Sequence, residues 1–255
     1  MRVVTPWGIE WLLWQGAAKK ARRRIKARLV PKTPPRETRV EEAIRFLVGR
    51  GLNESEVREG SMPEASLAYV AEKILDRLPS DRPVRALHVG NFVGVSLCYV
   101  SWLIRERHPD SLVVSIDPNI PHRGIEDPQS HAFALLDHFQ LLSCNLIITG
   151  YTVDREEVTS ADYSRGIACE NVLTGLEKLA GASFDLVLID GSHEESYLSR
   201  EIAAIRRLLA DNGIVVFDDV TAWPGVAEVF RQTAQDDSWT QLGENGRVGI
   251  LQLRG

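Results

Sequence analysis

From residue 84 onward, short apolar runs alternate with stretches of helical pattern, and this alternation restricts the fold more than any other feature. Residues 84–90, 112–117, 145–151, 184–190 and 213–220 read as strands. Helical patterns follow each of them, over 93–107, 131–142, 165–180, 194–210 and about 225–234. Strands that are apolar throughout are buried on both faces, as in a parallel sheet covered by helices. Such βα units predict an open, doubly wound, Rossmann-like α/β sheet. Two final strands, 239–242 and 248–253, flank the turn signal Gly243-Glu244-Asn245-Gly246 and bring the sheet to seven strands.

The region before the sheet is of another kind. Trp7, Trp11 and Trp14 share one face of a helix, and seven of the ten residues from Lys19 to Arg28 are basic. Pro31, Pro34 and Pro35 break that helix. Residues 1–36 therefore read as a basic amphipathic helix with a linker, 37–83 as a helical preface or lid, and 84–255 as the ligand-binding domain. In the preface, Thr38 is expected to cap a helix through Gly49, and 63–78 to form another.

The formal net charge of −5 conceals a division. Residues 1–36 hold ten Lys/Arg and one Glu, or +9, which leaves −14 for the remainder. An acidic body argues against a nucleic-acid-binding surface. The basic helix fits an anionic membrane face or an anionic polymer; equally, its tryptophans fit against the main domain or a second subunit in a homodimer. No apolar run approaches the roughly 18 residues of a spanning helix. Cys98, Cys144 and Cys169 sit in apolar surroundings without metal-ligand spacing, as in a reducing, cytoplasmic setting. The expected location is cytoplasmic, with peripheral contact at the inner membrane face if the helix is interfacial.

Ligands of such sheets bind beyond the carboxyl ends of the strands. The first strand ends in Gly90-Asn91-Phe92-Val93-Gly94-Val95-Ser96, whose two glycines allow a sharp turn and close approach to a ligand. The dinucleotide pattern G-x-G-x-x-G is missing, which argues against a nicotinamide-dependent oxidoreductase. Asp117 ends the second strand, where a carboxylate can accept from ribose hydroxyls; a merely polar strand end is the alternative. Asp190 follows the fourth strand, and Asp218 and Asp219 the fifth. If those strands are neighbours, three carboxylates converge, repel one another and suit a hard divalent cation. Water-exposed helix caps are the alternative. His193 stands three residues beyond Asp190, at the same end, as a general base, a metal ligand or a cap.

In this order the residues resemble the class I S-adenosylmethionine-dependent methyltransferases, from about Gly60 to the C-terminus. More narrowly, residues 89–97 resemble the cofactor loop of the metal-dependent catechol and caffeoyl-CoA O-methyltransferases. Residues 184–226 resemble their metal segment, through Trp223-Pro224-Gly225-Val226. Those enzymes carry Lys where this chain has His193, and Asp-Asn where it has Asp218-Asp219. Asp-x-x-His with Asp-Asp is similar to the macrolide and actinobacterial sugar O-methyltransferases. The resemblance implies cofactor-binding roles for Gly90, Asn91, Gly94, Ser96, Asp117 and Asp190. It implies that Asp190, Asp218 and Asp219 hold Mg²⁺ or Mn²⁺, with His193 as base toward a sugar-containing acceptor. A catechol or phenol acceptor is the alternative, and a non-catalytic binding module is disfavoured by the full set of polar site residues. His88 replaces a Glu that contacts the cofactor's methionine amine in the catechol branch. The loops 118–130 and 151–164, the latter with Tyr151 and Tyr163, and also Trp223, are candidate acceptor contacts.

Overall fold

A computed structural model describes residues 34–155, 171–179 and 183–255. The expected N-terminal helix, Tyr163, Cys169 and most of the expected 165–180 helix lie outside the described residues. Pro34–Gly255 forms one compact unit. The preface over 37–83 is therefore part of the same unit as the sheet, not a separate domain.

The sheet has seven strands in the order β3-β2-β1-β4-β5-β7-β6. These are β1 (Arg85–Val89), β2 (Leu112–Asp117), β3 (Asn145–Thr149), β4 (Phe184–Ile189), β5 (Leu209–Phe217), β6 (Trp239–Glu244) and β7 (Gly249–Leu253). β1 to β5 are parallel, and β7 runs antiparallel to both neighbours. Every residue of β4 is buried, as a central strand requires. A buried Leu, Ile or Val side chain contributes roughly 1.5–3 kcal/mol.

The helices are α1 (Arg39–Gly49), α2 (Glu54–Glu59), α3 (Glu64–Ile74), α4 (Val95–Arg107), α5 (Pro128–His138), α6 (Val172–Glu177), α7 (Glu195–Leu208) and α8 (Pro224–Gln235). Side chains alternate along the strands, so each strand feeds two cores. Leu186, Leu188 and Val216 join the core formed with α1 to α5. Val187, Ile189 and Val215 join the core formed with α6 to α8.

Three local expectations change. Thr38 does not cap α1 through its side chain; its hydroxyl donates to the Pro35 carbonyl at 3.2 Å. Helix α5 begins at Pro128, because Asp127 accepts from the Ser130 amide and Pro128 fits a first-turn position. Helix α2 was not expected; Asn53 caps it by accepting from the amides of Ser55 and Glu56.

Candidate active site

Backbone ladders continue one residue past the parallel strands and set the site side by side. Gly90 N donates to Ile116 O at 3.0 Å, Asp190 N to Val89 O at 2.9 Å, and Asp218 N to Ile189 O at 3.0 Å. Gly90, Asp190 and Asp218 thus emerge at one edge of the sheet. Gly90 and Asp190 border a cleft of about 700 Å³ that Asp117, His193, Asp219, Trp223 and Arg247 also line, while Asp218 is buried. Gly90 has φ +80°, and a Cβ there would stand 1.9 Å from the Asp190 carbonyl oxygen. Only glycine allows β1 and β4 to approach so closely at this point.

The cofactor-type residues divide into two groups. Gly90, Asp117 and Asp190 line the cleft. Asn91, Gly94 and Ser96 instead build the loop from behind. The Asn91 side chain donates to Ser115 at 2.9 Å, Gly94 packs on Ala132, and the Ser96 hydroxyl meets His88 Nε2 at 3.1 Å. His88 is wholly buried beneath the loop, and burial pushes its imidazole down to about 4. It is a neutral packing residue, so it does not take the place of the Glu found in the catechol branch.

Asp117 does more structural work than its strand-end position suggests. Its Oδ2 accepts the amides of Asn91 at 2.6 Å and Phe92 at 3.3 Å, and its Oδ1 accepts that of Asn119 at 2.6 Å. A carboxylate offers about four acceptor positions. One is left for a ligand hydroxyl, where the strand-end position alone suggested room for two. Burial raises the Asp117 pKa, and the three amides oppose that shift.

Asp190, Asp218 and Asp219 do converge: ligand oxygens of all three lie within 4.8 Å of one another. Burial first, then the charges of Asp218 and Asp219, push the Asp190 carboxyl well above its ordinary range. Burial and Asp218 raise Asp219 as well. The expected strand through Val220 stops at Phe217, and Asp219 turns the chain at φ +59°. Donor chemistry fits a hard divalent ion, since the set is all oxygen and its mutual repulsion asks for positive charge.

His193 Nε2 lies 3.5 Å from Asp219 Oδ2, and its ring stacks on Trp223 with centroids 4.6 Å apart and planes 12° from parallel. Gly225 makes this pairing possible, because a Cβ there would fall 2.5 Å from the His193 carbonyl. Partial burial lowers the His193 pKa, against the pull of Asp219 and Asp218. The imidazole is neutral at neutral pH and able to accept a proton.

Three features of the cleft were not visible in sequence, and a fourth, Tyr151, was an expected acceptor contact. Arg247, in the β6–β7 turn, donates to both oxygens of Asp218, at 2.8 and 2.7 Å. Glu59 and Gly60, at the end of α2, form part of the wall, and Glu59 accepts from Arg123 at 2.9 Å, tying the 118–127 loop to the preface. Tyr151 stands in the wall with the Arg155 guanidinium 3.7 Å from its ring centre. Glu201 is fully buried on α7, accepts from the Thr152 hydroxyl, and sits beside Tyr197, whose OH is 2.8 Å from that hydroxyl. A length signal marked the two loops, but nothing local marked Arg247 or Glu201.

Burial raises Glu201 from 4.5 to about 7. The folded protein thus holds this proton more tightly than the unfolded chain does. Raising the pH from about 4.5 to about 7 removes stability, and the loss is complete above that range. Glu201→Gln is expected to gain stability relative to wild type across the same window, by on the order of 3 kcal/mol at pH 8. Urea denaturation of both proteins at pH 5 and pH 8 measures it; a difference that does not grow with pH would refute the assignment.

The fold and cleft define a doubly wound α/β protein with a cleft at the carboxyl ends of β1, β2 and β4, the place where such sheets bind ligands, and an acid cluster beside it. A family model described as a methyltransferase domain matches residues 87–220, more than half of the chain. The protein belongs to that family, and its seven-stranded sheet is the class I methyltransferase fold. No curated protein sequence matches the chain. Among solved structures, the O-methyltransferase TomG from Streptomyces achromogenes aligns with a TM-score of 0.56 at 15% identity, over 85% of this chain and 90% of that one. An O-methyltransferase from Bacillus cereus gives 0.57 at 11% identity, over 87% and 92%. A TDP-rhamnose 3′-O-methyltransferase of calicheamicin biosynthesis gives 0.52 at 18% identity, over 88% and 97%. At these identities the likeness is one of fold. Among the described residues, no helix is long and apolar enough to cross a membrane.

Proposed function

We propose that this protein is an S-adenosylmethionine-dependent O-methyltransferase that acts on a sugar hydroxyl with the aid of a divalent cation. The observation that carries the reading is the convergence of three carboxylates, two of which line the cleft with His193, Gly90 and Asp117. Bound S-adenosylhomocysteine and S-adenosylmethionine in the Bacillus cereus and TomG structures support the cofactor class. The TDP-rhamnose enzyme among the fold relatives agrees with a sugar acceptor.

In this mechanism Asp117 offers its free acceptor position to a cofactor ribose hydroxyl, while the glycine turn lets the cofactor lie against the backbone. Asp190, Asp218 and Asp219 would hold Mg²⁺ or Mn²⁺, which when bound polarises an acceptor hydroxyl and eases its ionisation. Neutral His193 takes the hydroxyl proton. S-adenosylmethionine, when bound, would supply the methyl group for the deprotonated acceptor oxygen and leave as S-adenosylhomocysteine. Trp223, with 48% of its surface exposed, provides an apolar wall for one face of a sugar ring.

A screen with methyl-labelled cofactor over glycosides, oligosaccharides and catechols tests the reading. Label is expected in sugars, with activity abolished by EDTA and restored by Mg²⁺. Label confined to catechols would replace the acceptor with a phenol. Full turnover in metal-stripped protein would remove the metal from the reaction.

A further inference from the structure

We propose that Arg247 is a resident counter-cation of the acid cluster, and that it competes with a divalent ion for the oxygens of Asp218 and Asp219. The inference rests on the metal-dependent reading above and extends it to a residue outside the acid cluster and its base. The Arg247 guanidinium binds Asp218 through two nearly parallel hydrogen bonds, Nε to Oδ1 at 2.8 Å and Nη2 to Oδ2 at 2.7 Å. The same Nη2 lies 3.3 Å from Asp219 Oδ1.

This placement is built into the sheet. Phe217 pairs with Gly249 across the antiparallel β5–β7 ladder, so two residues further along Asp219 faces Arg247. The Val220 amide then donates to the Arg247 carbonyl at 2.8 Å, and the Thr221 hydroxyl to that of Gly246. The turn is thus fastened to the acid loop at the arginine and at the residue before it. A guanidinium is charged at every pH at which the protein is folded. One third of its side chain is exposed (33%), which leaves a path for it to withdraw.

The charge balance gives the consequence. With all three carboxylates ionised, as metal ligation requires, they carry −3, and the guanidinium brings the group to −2, a charge that one divalent ion cancels. Each Asp218 oxygen already accepts one N–H, so an incoming ion must share or displace that contact. The arginine therefore holds the acids together before metal arrives and weakens metal binding when it does. A site arranged in this way binds its ion loosely and exchanges it.

The test is Mn²⁺ binding to the full-length protein, by calorimetry and by the loss of free-ion paramagnetic signal, with no acceptor or cofactor present. Arg247→Met keeps an unbranched apolar stem and removes the charge; it is expected to bind Mn²⁺ on the order of tenfold more tightly than wild type. Arg247→Lys keeps the charge without the fork and is expected to fall between the two. Metal-free Arg247→Met is expected to melt below wild type and to gain more from saturating Mn²⁺, a linkage readable even if the variant is only marginally folded. Adding Asp190→Asn to Arg247→Met is expected to abolish the gain. Equal or weaker Mn²⁺ affinity in Arg247→Met overturns the proposal, as does tight binding that survives in the double variant. If wild type binds no Mn²⁺ and Arg247→Met does, the counter-cation role stands and the metal leaves the proposed reaction.

Discussion

Replacing His193 with alanine is expected to lower turnover by roughly 10²–10⁴-fold, the usual contribution of a positioned general base. Binding of S-adenosylmethionine is expected to stay within about twofold of wild type, at a scale where 1.4 kcal/mol is a factor of ten. The separation follows from geometry. His193 faces Asp219 and stacks on Trp223, whereas Gly90 and Asp117 form a different part of the cleft. Because the ring is only partly buried, its removal costs little packing. Isothermal titration with the cofactor and a labelled-methyl assay on the same preparation give both numbers. Turnover within fivefold of wild type would remove His193 from the chemistry. Lost cofactor binding would show that the variant had damaged the site more widely.

The second large effect divides stability from activity. Asp190→Asn is expected to reduce activity at least about 100-fold while raising the melting temperature of the metal-free protein. Burial and two neighbouring carboxylates already disfavour the Asp190 charge, so the neutral amide relieves a cost that the fold carries. At roughly 2–4 °C per kcal/mol for a domain of this size, the gain reads as several degrees. Strain held at a functional site and compensated elsewhere is the general pattern. Thermal melts at pH 8 in EDTA measure it. A lower melting temperature in Asp190→Asn would mean that the carboxylate stabilises the fold, contrary to the charge arrangement described here. Added Mg²⁺ is expected to raise the wild-type melting temperature and leave the variant unchanged.

Much of this site was readable before any coordinates, for a reason particular to parallel sheets. A strand buried on both faces announces itself as an apolar run, and the residue that follows it stands at the sheet edge. Val84-to-Gly90, Phe184-to-Asp190 and Ile214-to-Asp218 all have that form, and the ladder bonds of Gly90, Asp190 and Asp218 place them together. Asn91 and Ser96 show where the reasoning stops. They belong to the right loop, but only the packing shows that their side chains turn inward to Ser115 and His88. A motif identifies a loop; it does not say which of its side chains face the ligand.

The sequence by itself determined the strand order's raw material, the glycine turn, the strand-end acids and the histidine beside them, because each depends on residues close together in the chain. Tertiary structure alone decided the rest. Arg247 reaches Asp218 only because β7 runs antiparallel beside β5, Glu201 meets Thr152 only because α7 lies against the loop that follows β3, and Glu59 reaches Arg123 only because α2 joins the wall. Contacts between distant segments depend on how whole layers stack, and no local pattern of charge or hydrophobicity encodes which side chain will face which. That is why the acids were visible in the sequence and the cation that holds them was not.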